Sequence, residues 1–403
     1  MNLRYTIATV LCLGLSVPLM LHLASRRADA RVPSVRFATF NLALNRPGAG
    51  DLLQELRGGG SEPARRLAEI VQRTRPDVVL LQELDRDDAA ESAAVFVAEY
   101  LGVSQNQLDP LDYPFRYCGP VNTGEPSGLD LDRDGAAGGP GDAFGYGAFP
   151  GQYGMVLLSR YPILEDRVRS FQKLPWRAMP AAKRPVDWYS DEAWNALRLS
   201  SKSHWDVPIG FGAPGEGRVV HVLCSHPTPP VFDGPEDRNG CRNHDEIRFW
   251  VDYLTPEAAQ WIEDDRGGRG GLAAGESFVV MGDLNCDPQD GDAQREALLA
   301  LLAHARLQDP QPRSIGGDKA KIGQFGVNMQ HLGDPALDTG DFPDAPPGRP
   351  DSGPGNLRVD YVLPSRDLRV IAAQVFWPAP HEQTAALAQV SDHRLVAVDV
   401  AMP

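Results

Sequence analysis

Apolar residues gather into short runs separated by polar stretches rich in Gly, Pro and Asp. The runs "VRFATF" (35–40), "DVVLLQEL" (77–84), "YGMVLLS" (153–159), "RVVHVLCS" (218–225), "SFVVMGDLN" (277–285), "RVDYVLP" (358–364) and "RLVAVDV" (394–400) predict strands. Several are apolar on both faces, the pattern of sheets covered on both sides. Between them the period lengthens: "EPARRLAEIVQRTRP" puts Leu67, Ile70 and Val71 on one stripe and stops at Pro76, and "DAQREALLALLAHARL" aligns Leu298, Leu301 and Leu302. "NHDEIRFWVDYL" predicts a third helix, capped by Asn243, with Asp245 and Glu246 in its first turn and Ile247, Trp250, Val251 and Leu254 as its buried stripe. Strands alternating with helices predict a layered α/β fold. Residues 105–152 and 309–356 show little regular pattern and read as long loops, functional or disordered. Neither shows an evident apolar hairpin suited to a membrane surface, apart from "FGYGAF" (144–149).

The N-terminus stands apart. Arg4 precedes an apolar run from about Thr6 to Ala24, and Ala28-Asp29-Ala30 supplies the small residues of a signal peptidase site. Residues 1–30 are expected to be an export signal and 31–403 one large domain with two long insertions, secreted or periplasmic. The alternative is an uncleaved membrane anchor, because the run is long and Arg26, Arg27 and Arg31 follow it. No low-complexity linker or internal repeat divides the rest. Loss of Arg4, Arg26, Arg27 and Asp29 takes the net charge from −15 to −17. Such a surface disfavours tight non-specific binding to phosphate backbones, although a bound divalent ion reverses the field locally. Cys118, Cys224, Cys241 and Cys286 remain in the mature chain, where one or two disulfides are possible; Cys224 and Cys286 end apolar runs and read equally as buried thiols.

Several predicted strands end in the same chemistry. Asn41, Gln82 with Glu83, Asp283 with Asn285, Asp360, and Asp392 with His393 stand beside apolar runs, where carboxylates and amides are costly unless paired or bound to a cation. Oxygen donors without a Cys-rich or His-rich cluster suit Mg²⁺, Mn²⁺ or Ca²⁺ better than Zn²⁺, and hard cations of this kind serve phosphoryl chemistry. Neither a GxxxxGK[ST] phosphate loop nor a GxSxG elbow occurs.

"FNLAL", "LLQELD", "YGMVLLSRYPI", "MGDLNCDP", "LRVDYVLPS" and "SDHRLVAVDV" follow one another in an order that resembles the endonuclease/exonuclease/phosphatase superfamily, over about Val35 to Val400. The resemblance implies a four-layer sandwich of two packed mixed β-sheets flanked by helices, with the site at the loop ends of both. It implies that Asn41 and Glu83 bind or position a divalent ion, that Asp283 and Asn285 orient the attacking water and hold the phosphate, and that His393 contacts the phosphate as acid or base. His226 matches a family His at the scissile phosphate, although the Pro run of "SHPTPP" departs from the commoner pattern.

Consecutive side chains of an extended segment point to opposite sides, so Asp392 is badly placed to orient His393. Asp360 is the expected orienting carboxylate, and Asp392 is left to the metal. Lys202 and His204 in "KSHWDVPI", and Arg238 and Asn239 in "PEDRNGCRN", a predicted loop with a turn at Asn239-Gly240, are candidate substrate contacts. Asp130, Asp132 and Asp134, followed by Gly135, form the first half of an EF-hand-like loop whose twelfth position is Gly141, a candidate structural Ca²⁺ site. These readings point to a secreted, Mg²⁺- or Mn²⁺-dependent phosphodiesterase or nuclease. The alternatives are a lipid-headgroup or sugar-phosphate hydrolase, or a non-catalytic calcium-dependent binding module. The partner is a phosphate ester (nucleic acid, lipid headgroup or small organic phosphate), with no obligate protein partner evident.

Overall fold

The computed structural model describes residues 34–212, 217–343 and 353–402. The expected signal segment, and residues 344–352 of the second predicted loop, lie outside them. In chain order the strands are β1 (Ser34–Leu44), β2 (Val78–Leu84), β3 (Phe115–Tyr117), β4 (Met155–Ser159), β5 (Arg169–Ser170), β6 (His204–Phe211), β7 (Arg218–Ser225), β8 (Ser277–Asp283), β9 (Gly340–Asp341), β10 (Asn356–Leu357), β11 (Asp360–Pro364), β12 (Val370–Val375) and β13 (Val396–Ala401). The helices are α1 (Asp51–Leu56), α2 (Glu62–Thr74), α3 (Glu91–Phe96), α4 (Asp191–Ala196), α5 (Arg238–Tyr253), α6 (Glu296–Leu302) and α7 (Ile315–Gln324).

One sheet runs β12-β13-β1-β2-β4-β3 and a second β11-β8-β7-β6-β5. Each holds one parallel pair, β1 with β2 and β7 with β8, and these are the pairs joined by helical crossovers, α1 with α2 and α5 respectively. Alternation along the strands builds the layers. Phe37, Val78, Leu80 and Leu157 of the first sheet meet Val207, Ile209, Val222, Val279 and Met281 of the second. Val79 and Leu81 turn the other way, onto Leu67, Ile70 and Val71 of α2, and Phe278 and Val280 turn out to Ile247 and Trp250 of α5 and Leu298 and Leu301 of α6. The expected four-layer sandwich is therefore the observed one. At about 1.5–3 kcal/mol for each fully buried aliphatic side chain, these cores carry the stability. Cys118, Cys224, Cys241 and Cys286 are all free thiols, Cys224 and Cys286 buried, which decides between the alternatives left open by sequence.

Two expectations change. The third helix starts at Arg238, five residues before Asn243. Asp233 Oδ2, in the loop just ahead, accepts the Asn239 N–H at 2.6 Å, and Asn239-Gly240 is the helix's first turn. Asn243 is buried in mid-helix and its amide donates to Thr228 O at 2.8 Å and Leu284 O at 3.0 Å. The long loops also carry order: bridges Thr123–Gly145 and Pro126–Ala143 fold the first back on itself, and the second holds α7 and the β9–β10 pair. Among the described residues no helix is long and apolar enough to cross a membrane.

Candidate functional site

Asn41 and Glu83 lie toward the C-terminal ends of β1 and β2, Asp283 ends β8, and Asp360 opens β11, directly opposite Asp283 in the ladder. The packing of the sheets brings these strand ends together. Asp283 Oδ2 lies at the centre, with Asn41 Nδ2 at 3.2 Å, His226 Nε2 at 3.4 Å and His393 Nε2 at 3.6 Å. Asn41 Nδ2 also reaches Glu83 Oε1 at 3.1 Å, so one amide spans both sheets. His393 Nδ1 lies 2.9 Å from Asp360 Oδ2, the contact expected from strand geometry.

Local backbone sets these directions. A register shift between β1 and β2 follows Asn41, and Glu83 takes a left-handed φ of 54°, which keeps its carboxylate out of the regular sheet face. Asn285, also left-handed at φ 51°, donates its N–H to Asp283 Oδ1 at 2.9 Å and its side chain to Pro227 O at 3.1 Å. It thereby ties the turn after β8 to the segment bearing His226. Gln82 turns inward instead, donating to Thr39 Oγ1 at 2.7 Å.

Burial raises the carboxyls of Glu83 and Asp283. It lowers Lys202 and lowers His226 well below the ordinary imidazole range. Burial would lower His393 too, but Asp360 and Asp283 outweigh it and hold this ring protonated. The two histidines on Asp283 are therefore unlike: His393 a cation, His226 neutral. Lys202 is buried just ahead of β6 with Glu246, Glu83 and Asp283 as its facing carboxylates.

Glu246, read as a helix-start residue, is a buried clamp. Its carboxylate accepts Ser201 N at 2.6 Å, Ser201 Oγ at 3.0 Å and Thr228 N at 2.7 Å, which fixes the two segments carrying Lys202 and His226. Asp245 likewise receives Trp176 Nε1 and Lys183 N, both at 2.7 Å. The sequence signal available was a pair of acids on the apolar side of a helix.

Other candidates are placed elsewhere. His204 is 1% exposed, with Nδ1 2.5 Å from Ser200 Oγ, Nε2 2.8 Å from Glu246 O, and its ring against Phe249 and Trp250. It is an interior residue, because its position on β6 faces α5. Burial lowers it from 6.5 to about 4. A histidine kept neutral by the fold contributes its full stability above pH 6.5 and loses it as pH falls toward 4, since the unfolded chain takes up the proton first. His204→Gln should remove about 2 kcal/mol of the stability lost between pH 7 and 4.5, read from denaturant melts; an unchanged pH slope would contradict this placement. Arg238 pairs with Glu236 and lies over Trp188, and Asn239 donates to Val231 O at 2.6 Å, so both fasten their own loop. Asp392, expected at the metal, is exposed and outside the Asp283, Asp360 and His393 group whose ligand atoms lie within 4.8 Å of one another. Asp130, Asp132 and Asp134 also meet within 4.8 Å, half-buried or exposed. Buried Asp142 closes that loop, taking N–H bonds from Leu131 at 2.6 Å, Gly138 at 2.9 Å and Gly139 at 3.1 Å.

Two mixed sheets packed between helices, with carboxylates, an amide and histidines at their joined strand ends, define a class of layered α/β proteins with a polar centre. The sequence profile of the endonuclease/exonuclease/phosphatase family matches residues 38–393, and the chain belongs to that family. Its members are metal-dependent hydrolases of phosphoesters. Similar solved structures include an endonuclease/exonuclease/phosphatase from Beutenbergia cavernae (19% identity, 92% of this chain and 72% of that one, TM-score 0.49). Sphingomyelinase C from Streptomyces griseocarneus (18%, 91% and 99%, 0.45) and the human Nocturnin catalytic domain with bound sulfate (14%, 92% and 94%, 0.43) also match. No curated protein matches the sequence.

The residues fit a hard divalent ion. Glu83, Asp283 and Asp360 bring three carboxylates into one centre, burial raises the first two, and Asp360 Oδ1 is buried without a hydrogen-bond partner. Buried carboxylate oxygens gathered at one centre are a donor set for Mg²⁺ or Mn²⁺.

Proposed function

We propose that this protein is an exported, divalent-metal-dependent phosphodiesterase. The convergence on Asp283 Oδ2 of Asn41, His226 and His393 from both sheets supports this reading most directly. A protonated His393 is a poor ligand, so the carboxylates of Glu83 and Asp283 would hold the ion, with Asn41, whose amide bridges them, positioning both. A bound Mg²⁺ or Mn²⁺ would screen the non-bridging oxygens and stabilise the leaving oxygen. Asp283, with its carboxyl raised by burial, takes the proton of the attacking water, and Asn285 holds it in place. His393, fixed by Asp360, donates to a phosphate oxygen, while neutral His226 and the Lys202 ammonium line the same centre. Export rests on the N-terminal apolar run and its small-residue cleavage pattern.

Bis(p-nitrophenyl) phosphate should be hydrolysed with Mg²⁺ or Mn²⁺, with activity abolished by EDTA and restored when the ion is returned. Metal binding without turnover would instead support the binding-module reading. A lipid-headgroup substrate is the second reading, and it rests on apolar side chains exposed within 309–356, on α7 and the residues after it rather than on a hairpin. Ile322, Phe325, Met329 and Leu332 are 64, 66, 56 and 82% exposed within one short stretch of chain, and an apolar surface of that kind suits an apolar partner. Parallel assays on plasmid DNA, RNA, sphingomyelin vesicles and inositol phosphates separate the substrate classes.

A further inference from the structure

Residues 339–342 of the second insertion, which include β9, are stitched to both members of the Asp360–His393 dyad. Thr339 Oγ1 accepts the N–H groups of Val359 and Asp360 at 3.0 and 2.9 Å, and Thr339 O accepts Arg394 N at 2.7 Å. Gly340 forms an antiparallel bridge with His393. Asp341 donates its N–H to Asp392 O at 2.8 Å, and its carboxylate accepts Arg394 Nη2 at 2.5 Å and Gln324 Nε2 at 2.6 Å. Arg394 in turn donates to His393 O at 3.1 Å. The backbone on both sides of His393 is therefore fixed by this strap.

The imidazole is held less completely by its polar contacts. Nδ1 lies 2.9 Å from Asp360 Oδ2, whereas Nε2 is 3.6 Å from Asp283 Oδ2, beyond a hydrogen bond. A single hydrogen bond fixes one point of a ring and leaves its plane free to tilt. Phe342, half-buried, supplies a further contact: its ring centroid is 5.3 Å from that of His393 and the two planes stand at 80°, the edge-to-face arrangement that aromatic rings favour. Gly340 makes the room. A Cβ there would lie 2.5 Å from Phe342 Cε2 and 2.7 Å from Cζ, so the aromatic ring folds back over a residue without a side chain and reaches the imidazole. We propose that Phe342 is a positioning residue for His393, holding the imidazole plane so that Nε2 faces the Asp283 centre, and that Gly340 is required to seat it. The effect on rate rests on the phosphodiesterase reading; the effect on the ring does not.

Two measurements on the full chain test this, turnover of bis(p-nitrophenyl) phosphate with Mg²⁺ and the proton resonance of His393 Nδ1–H, in Phe342→Ala, Phe342→Tyr and Gly340→Ala. Both alanine variants should lower kcat by about 3- to 10-fold, the rate equivalent of one edge-to-face pair, with KM little changed. Phe342→Tyr keeps the ring and should retain the wild-type kcat. The double substitution should lose no more than Phe342→Ala alone, because the glycine acts through the ring. The Nδ1–H signal, sharp in the wild type and in Phe342→Tyr, should broaden by exchange with water in both alanine variants. A raised KM at unchanged kcat in Phe342→Ala would overturn the proposal and make Phe342 a substrate contact. A signal already broad in the wild type, or one unbroadened in the alanine variants, would overturn it as well. Absence of turnover in the wild type would remove the phosphodiesterase reading alone, and the proton signal would still decide the positioning. Should Phe342→Ala fail to fold, Gly340→Ala decides the matter, since its added methyl meets only the movable ring.

Discussion

His393→Ala and Asp360→Asn are each expected to lower turnover of bis(p-nitrophenyl) phosphate by about 10²–10⁴-fold, and the double substitution to add little to either. The 2.9 Å contact makes the two residues one device. Asp360 fixes the ring through Nδ1 and, with Asp283, keeps it protonated, so an Asn at 360 leaves a ring free to turn and easier to deprotonate. Removing the ring makes the carboxylate's contribution irrelevant, and residues acting as a unit lose far less together than the sum of their separate losses. KM should change less than kcat, because the dyad acts where charge develops. Fully additive losses in the cycle would separate the residues and return Asp360 to a structural role.

Glu246→Ala is expected to cost about 3 kcal/mol or more in stability and to depress turnover more than tenfold in whatever protein remains folded, although Glu246 is a positioning residue on α5. Its removal strands Ser201 N and Thr228 N, leaves Ser201 Oγ only its 3.4 Å contact with His226 O, and takes away the foremost carboxylate facing Lys202. The segments before β6 and after β7 then lose their common anchor, and with it the placement of Lys202 and His226. Glu246→Gln keeps one accepting oxygen and should recover most of the stability but less of the activity, because the neutral amide no longer balances the buried ammonium. Denaturant melts and turnover measured on both variants decide it; a melt of Glu246→Ala matching the wild type would refute the clamp.

Much of the framework was legible from pattern alone because it depends on short-range physics. Strands such as 77–84 and 277–285 are apolar on both faces, and that requires covering layers wherever the chain goes. The helix over 62–74 announced itself by Leu67, Ile70 and Val71, and Ser61 caps it as a polar residue ahead of an apolar stripe can. Errors fell where a partner outside the motif, near or far along the chain, overrode local preference. Arg238 to Gly240 reads as a turn, yet Asp233 supplies an acceptor and the segment is helical. His204 has the chemistry of a phosphate contact, yet the facing of β6 puts it against Phe249 and Trp250.

The amino-acid order by itself determined the alternation of strands and helices, the polar residues at strand ends and, through six ordered segments, the family. It also implied that His393 needs a carboxylate from another strand, because neighbouring side chains on extended backbone diverge. Only the tertiary structure decided which groups meet. Asn41 and Asp283 are 242 positions apart, and they come together because two sheets bury their inner faces against each other. Similarly, Glu246 became a clamp and Asp392 was left in solvent, since burial and partners arise from packing that no local spacing encodes.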